Sequence, residues 1–325
     1  MQITVVIPTY NRPKELNRCL DSIIVQTKPP EEVLIIDNGT ITDSKNLVEG
    51  RKKEFEKKGI ILKYIKNERE NSVTVAQNIG IKNSTHEIIS FLDDDLTLDE
   101  NYYKEIIEVY KKIPNALGVE GHNQGAKERN VIIDIKKAFN KLFYVEPIDD
   151  KDKCRLLPSL GVTYPSFPNE VINCEWLSGA TTYKKVVLEE IKPDENLKKY
   201  SWNQDPDLSY RVFKKYPNSL FLTPRAKYWH EKAREGRIPT RELIYMAEVY
   251  DLYLFYKDID QNLKNKLIYL WSRIGRSSRF ALLLIFKYKS ETTGIKHIIM
   301  APFYCMKHIK EIKKGDLRFF NETLK

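Results

Sequence analysis

EIISFLDDDLTLDE, running from Glu87 to Glu100, decides how this chain reads. Residues 88–92 are rich in β-branched and aromatic types and make a short buried strand. The strand ends in three carboxylates, Asp93, Asp94 and Asp95. Adjacent like charges repel, so a core has no use for them at a strand end. They suit a cation. Hard oxygen ligands point to Mg2+ or Mn2+, ions usually shared with substrate phosphates. The plainer reading is a solvated acidic loop, with Asp99 capping the helix that follows.

Outward from that strand, the chain alternates. Residues 3–7 form a strand closed by Pro8, and Leu16, Leu20, Ile23 and Ile24 mark a helix. A second strand ends in Asp37, Asn38 and Gly39, and a charged helix follows over residues 47–58. ILKYIKNE is a third strand, residues 73–81 a helix, residues 101–113 another, and ALGVEG a fifth strand. Such alternation with short connections predicts a parallel, doubly wound α/β sheet flanked by helices. The rhythm breaks over residues 121–173, which carry a basic helical patch at 136–143 and three prolines between 158 and 168. It returns in NCEWLSGATTY, where Gly179 takes a tight turn. Residues 184–191 read as a helix, Asp205-Pro206 opens another that runs to Lys215, and 220–222 is a short strand before Pro224 and His230.

The 325 residues, 42% hydrophobic and 30% charged, are those of a folded protein. No apolar run reaches the length of a membrane span, and the first is too short for a signal peptide. Four scattered cysteines without metal-ligand spacing predict reduced thiols and a cytoplasmic location. The net charge of +9 is uneven. From residue 262 onward, 14 Lys plus Arg face 4 Asp plus Glu, a balance of +10, which leaves the first 261 residues at −1.

VVIPTYNRP, IIDNG, NIGIKNSTHEIISFLDDD, WLSGA and QDPDLSYRV stand in an order and spacing that resemble inverting family 2 glycosyltransferases of the GT-A fold. The resemblance covers residues 1 to about 230. It implies a catalytic domain over 1–235, with a nucleotide-binding half at 1–120 and an acceptor-binding half at 121–235. Residues 236–325 are then a helical, basic extension.

The resemblance also implies roles. Asp95 matches the metal-binding carboxylate of the family's DxD motif and Asp93 its partner near the ribose and metal; with three acids in a row, Asp94 remains a candidate. His230 resembles a histidine that adds a metal ligand in some members. Pro8, Thr9 and Tyr10 match the loop against base and ribose, Asp37 the acid that hydrogen-bonds the base, and Arg69 a basic residue near uracil or phosphate. Asp205 falls at the catalytic base, with Asp207 as runner-up; Gln204 replaces the Glu usual before that base. Asn38 and Gln77 are further departures. The implied partners are a nucleotide sugar, a UDP-sugar foremost, and a glycan or lipid-linked acceptor.

The basic tail reads as amphipathic helices. Leu263, Leu267, Leu270, Trp271 and Ile274 share one face, with Lys264, Arg273, Arg276 and Arg279 nearby. A second stripe holds Ile295, Ile298, Ile299, Pro302, Met306, Ile309 and Ile312, with Lys307, Lys310, Lys313 and Lys314 on the other side. An anionic membrane surface on the cytoplasmic side is one expectation; a helical cover for the sheet edge is the other. No nucleic-acid recognition motif occurs. A nucleotide-sugar-binding module without transfer activity is the competing reading of function. A nucleotidyltransferase ranks lower, because PTYNRPKE lacks a glycine-rich phosphate loop.

Overall fold

The computed structural model describes residues 1–125, 138–145, 148–150, 153–166, 168–231, 239–287 and 292–324, the side chains of 149, 279–287 and 292–295 excepted. It divides into two compact units, Met1–Lys127 with Phe167–Arg237, and Glu128–Ser166 with Ile238–Lys325.

In the first unit β1 (Ile3–Thr9), β2 (Glu32–Asp37), β3 (Ile61–Lys66) and β4 (Ile88–Phe91) alternate with α1 (Pro13–Ile24), α2 (Asp43–Glu56) and α3 (Val73–Asn83). After β5 (Leu96–Leu98) and α4 (Tyr102–Lys112) comes β6 (Gly118–Asn123). The sheet runs β3-β2-β1-β4, and β1 pairs parallel with both neighbours. Its interior strands are apolar on both faces, as Val5, Val6, Ile7, Val33, Leu34 and Ile35 show by their complete burial. Each such side chain contributes about 1.5–3 kcal/mol over its exposed state. In α1, Pro13 occupies the first turn, while Leu16, Leu20 and Ile23 recur at helical spacing and are buried. Gly80 lets α3 lie close on β1, since a Cβ there would sit 2.2 Å from Val6 Cγ1.

Two further strands interrupt the parallel order: β9 (Ile172–Cys174), which follows β7 and β8 of the second unit in chain order, and β10 (Thr181–Lys184). Strand β10 inserts antiparallel between β4 and β6. After α5 (Lys185–Glu190) and α6 (Gln204–Lys215), β11 (Leu220–His230) pairs parallel with β6 and antiparallel with β5 and β9. Six strands therefore point one way, and β5, β9 and β10 the other. Strand β11 is far longer than the sequence suggested. Pro224, which cannot donate to a ladder, falls at the register shift between Thr223 and Lys227.

The second unit contains β7 (Ile148–Asp149) and β8 (Thr163–Tyr164), paired parallel, then α7 (Thr240–Asp258), α8 (Leu263–Lys287), α9 (Thr292–Lys307), α10 (Ile309–Lys313) and α11 (Arg318–Asn321). Ile244, Ile298 and Ala301 form a small core. Residues 128–166 group with the C-terminal helices. Side chains show why. Trp271 Nε1 donates to Leu142 O at 2.8 Å, the Phe143 ring stacks on Trp271 at 4.9 Å, and Arg273 Nη2 donates to Ser159 O at 3.0 Å. Lys136 and Lys137 of the expected basic patch lie outside the described residues; 138–143 are helical. All four cysteines are free and buried.

Candidate active site

Strand pairing assembles the site. The chain leaves β4 with Leu92 N donating to Val6 O, so the three acids emerge beside the end of β1. Strand β5 follows at once and pairs with β11 in the register His230↔Leu96. That register carries a residue 135 positions downstream to within reach of the acids. His230 Nε2 lies 3.1 Å from Asp95 Oδ1, and one ligand atom each from Asp93, Asp95 and His230 fall within 4.8 Å of one another. Two carboxylates and an imidazole at this spacing suit a divalent cation such as Mg2+ or Mn2+.

Asp94 takes a different task. Thr9 Oγ1 donates to its Oδ2 at 2.7 Å and Arg12 Nη1 to its Oδ1 at 3.2 Å. Arg12 also stands 3.9 Å from Asp95 Oδ2. Residues 93–96 form a turn, with Leu96 N donating to Asp93 O at 3.3 Å, so the middle acid is directed to Thr9 and Arg12 while the flanking acids meet at His230. Asp94 is thereby withdrawn from the cation cluster, and Thr9 has its hydroxyl on Asp94. Burial still pushes the Asp94 carboxyl up to about 7, against the pull of Arg12 and Thr9. Asp93 is raised too, by desolvation first, then by the charges of Asp205 and Asp95.

Asp205 sits in the first turn of α6, behind Asn203 in a left-handed conformation. No side chain caps this helix, so Asp205 is not spent as an N-cap. Its Oδ1 accepts from Gln204 Nε2 at 2.5 Å, and the backbone N–H of Gly179 supplies a second hydrogen bond. The helix N-terminus also favours an anion there. Desolvation nevertheless raises its pKa, while Gln204, Gly179 and His230 oppose the rise. The charge of Asp205 raises Asp93, and that of His230 lowers Asp205, so the carboxylate and the cluster feel one another electrostatically. Asp207, two residues on, is buried, and Arg211 Nη2 donates to its Oδ2 at 2.7 Å.

Sequence reading missed the support beneath Asp205. Glu120, buried on β6, accepts from Ser178 N at 2.8 Å and Tyr228 Oη at 3.2 Å. Burial drives its pKa well up. Glu120 thus fixes the turn at Ser178 and Gly179, whose φ of +67° favours glycine. Arg12 was missed as well; its signal was a lone cation in the loop after β1, two residues past Tyr10.

The nucleotide residues are more dispersed. Pro8 and Thr9 lie on β1 opposite Ile36 and Asp37, with Tyr10 just beyond and half-buried. Asp37 is buried, its Oδ1 accepting from Gly39 N at 2.7 Å and its Oδ2 from Tyr64 Oη at 2.6 Å. Only second lone pairs remain for a base. Arg69 is held by Glu195, with Nη1 to Oε1 at 3.0 Å and Nη2 to Oε2 at 2.5 Å. The pair uses two of the five guanidinium N–H groups, and the side chain is exposed.

A mostly parallel α/β sheet with an acidic turn at the end of its fourth strand defines a GT-A type fold. The TarS fragment 1-349 of S. aureus in complex with UDP-GlcNAc superposes with a TM-score of 0.58 at 15% identity, over 99% of this chain and 92% of that one. The mannosyltransferase PcManGT of Pyrobaculum calidifontis, in complex with GDP-Man and Mn2+, gives 0.58 at 14% identity, over 94% and 87%. Residues 4–167 match the family model Glycosyl transferase family 2, and the chain belongs to that family. Asp205 and His230 lie beyond the matched segment. Among curated relatives, glycosyltransferase GlyA of Streptococcus pneumoniae serotype 4 is 34% identical over 112 residues, which are 33% of this chain and 15% of that protein. The chain thus matches a small part of a much longer relative.

No helix among the described residues is long and apolar enough to cross a membrane.

Proposed function

We propose that this protein transfers a sugar from a nucleotide sugar, with a UDP-sugar as the first candidate, to an acceptor hydroxyl or phosphate with inversion at the anomeric carbon. The observation that carries the reading is the cluster of Asp93, Asp95 and His230, with Asp205 coupled electrostatically to Asp93 and His230. Asp205 takes the proton from the acceptor as its oxygen bonds to the anomeric carbon, and the bond from that carbon to the diphosphate breaks on the opposite side. One displacement gives inversion. Asp93, Asp95 and His230 would hold Mg2+ or Mn2+, which supplies positive charge to the departing diphosphate. Gln204 and Gly179 aim the base, and Arg12 offsets the acids. Pro8, Thr9, Tyr10 and Asp37 bound the nucleotide end, with Arg69 beside it.

A glycan or lipid-linked glycan, or a polyprenyl phosphate, is the acceptor class we favour, met at the cytoplasmic face of a membrane. The first unit, 1–127 with 167–237, is then the catalytic one, since all the named residues belong to it. A binding module without transfer would not need a carboxylate held in place as Asp205 is. Incubation with a panel of UDP- and GDP-sugars and Mn2+ tests the reading by metal-dependent release of nucleoside diphosphate. Calorimetry on Asp95→Ala tests the cation site. Unchanged affinity for UDP with Mn2+ would remove Asp95 from it.

A further inference from the structure

Helix α8 is inside out. Its inner face is polar, with Ser272 and Arg276 buried beside Tyr269. Arg273 Nη1 reaches Asp251 Oδ2 at 2.7 Å and Arg276 pairs with the same oxygen, so these two cations turn inward. The outer face is apolar. Leu263, Leu267, Leu270, Trp271 and Ile274 are 73, 58, 60, 43 and 56% exposed. At about 100° per residue they fall within an arc of roughly 100°. Lys264 and Lys266, both exposed, stand at its two edges.

This reverses the polarity of a surface helix, and large contiguous apolar surfaces mark binding sites. Leu142, 60% exposed, extends the stripe beside Trp271, whose indole is fixed by the Leu142 carbonyl and the Phe143 ring. Helix α9 repeats the pattern. Ile298, Ala301 and Cys305 face inward, while Ile299, Met300, Phe303 and Met306 are 57, 46, 60 and 67% exposed, with Lys296 and Lys307 exposed among them.

We propose that the outer faces of α8 and α9 dock onto an anionic lipid surface. The choice of occupant rests on charge. Arg273 and Arg276 are spent on Asp251, but Lys264, Lys266, Lys296, Lys307, Lys310, Lys313 and Lys314 of the same segment are exposed ammonium groups. A second copy, in a twofold contact, would set each patch against itself and bring lysine rims together. An anionic bilayer accepts both features. Leu, Ile, Phe and Trp side chains enter the interface while lysines stay among the headgroups.

Flotation of the full-length protein with vesicles of phosphatidylcholine, with and without phosphatidylglycerol, tests this docking independently of any donor or transfer assay. Binding is expected only with phosphatidylglycerol, and it should weaken as salt rises. The double variant Leu267→Ser with Ile274→Ser changes two solvent-facing side chains, so its melting temperature should match the parent. Its partition onto vesicles should fall tenfold or more. Equal partition of variant and parent, or no flotation at low salt, overturns the proposal. A dimer seen by light scattering that the same variant dissolves also overturns it, in favour of a second copy.

Discussion

Arg12 directs its guanidinium to Asp94, Nη1 to Oδ1 at 3.2 Å, and in doing so makes three consecutive carboxylates tolerable at one strand end. Asp94 is the acid between the two candidate cation ligands, and the one the cation does not need. Both partners are largely buried, at 16 and 5% side-chain exposure.

Removing that cation should therefore destabilise the fold. Arg12→Met leaves Asp94 buried with only Thr9 for company, and breaking such a pair costs about 3 kcal/mol. Because Asp94 already titrates near 7, protonation relieves the variant in acid. Urea melts should show a larger loss at pH 8 than at pH 5.5, and an equal loss would argue against an ionised Asp94.

Protons and the cation should compete. Asp93 is pushed up to about 7 and Asp205 to about 6, from an ordinary 3.8. The pair titrates as a unit. The folded state then binds more protons than the unfolded one between those values, so the metal-free protein loses stability as pH rises from about 4 to about 7. A dication favours the ionised acids, and the rise in melting temperature caused by Mn2+ should grow across the same window. Thermal melts in chelator and in Mn2+ at pH 5 and pH 8 measure both trends; a Mn2+ effect that shrinks with pH contradicts them.

Asp205→Asn should keep donor affinity while transfer falls by about 10²–10⁴-fold, the usual span for a general base. The amide retains an acceptor for the Gly179 N–H, so stability should change little. Calorimetry with UDP and an initial-rate assay separate the two effects. Near-normal transfer would return Asp205 to a merely local role.

Glu120 offers a finer test of how the base is held. Burial drives its carboxyl pKa well up, and Glu120→Gln keeps an oxygen for the Ser178 N–H and a polar group for the Tyr228 hydroxyl, so most of the rate should be preserved. Glu120→Ala releases the Ser178–Gly179 turn and should lower kcat tenfold or more with little change in the donor KM. If alanine and glutamine behave alike, Glu120 does not position Asp205.

Much of the fold was legible because the first 120 residues repeat one local rule, an apolar strand followed by an amphipathic helix. Acids at the strand end carried their own signal, since charge at that place has no use in packing. Gln204-Asp205-Pro206 likewise announced a helix start. The sequence could not separate Asp94 from its neighbours, because which way a side chain turns depends on Thr9 and Arg12, 82 to 85 positions away. Nor could it place His230 against Asp95, an outcome of the β11–β5 register, or find Glu120 beneath the base. Helices α8 and α9 show the same limit. Periodicity revealed two amphipathic helices, but the ion pairs to Asp251 decided that Arg273 and Arg276 turn inward while Leu263, Leu267 and Leu270 face out. Local pattern specifies elements; which face meets which partner is fixed by contacts between residues far apart in the chain.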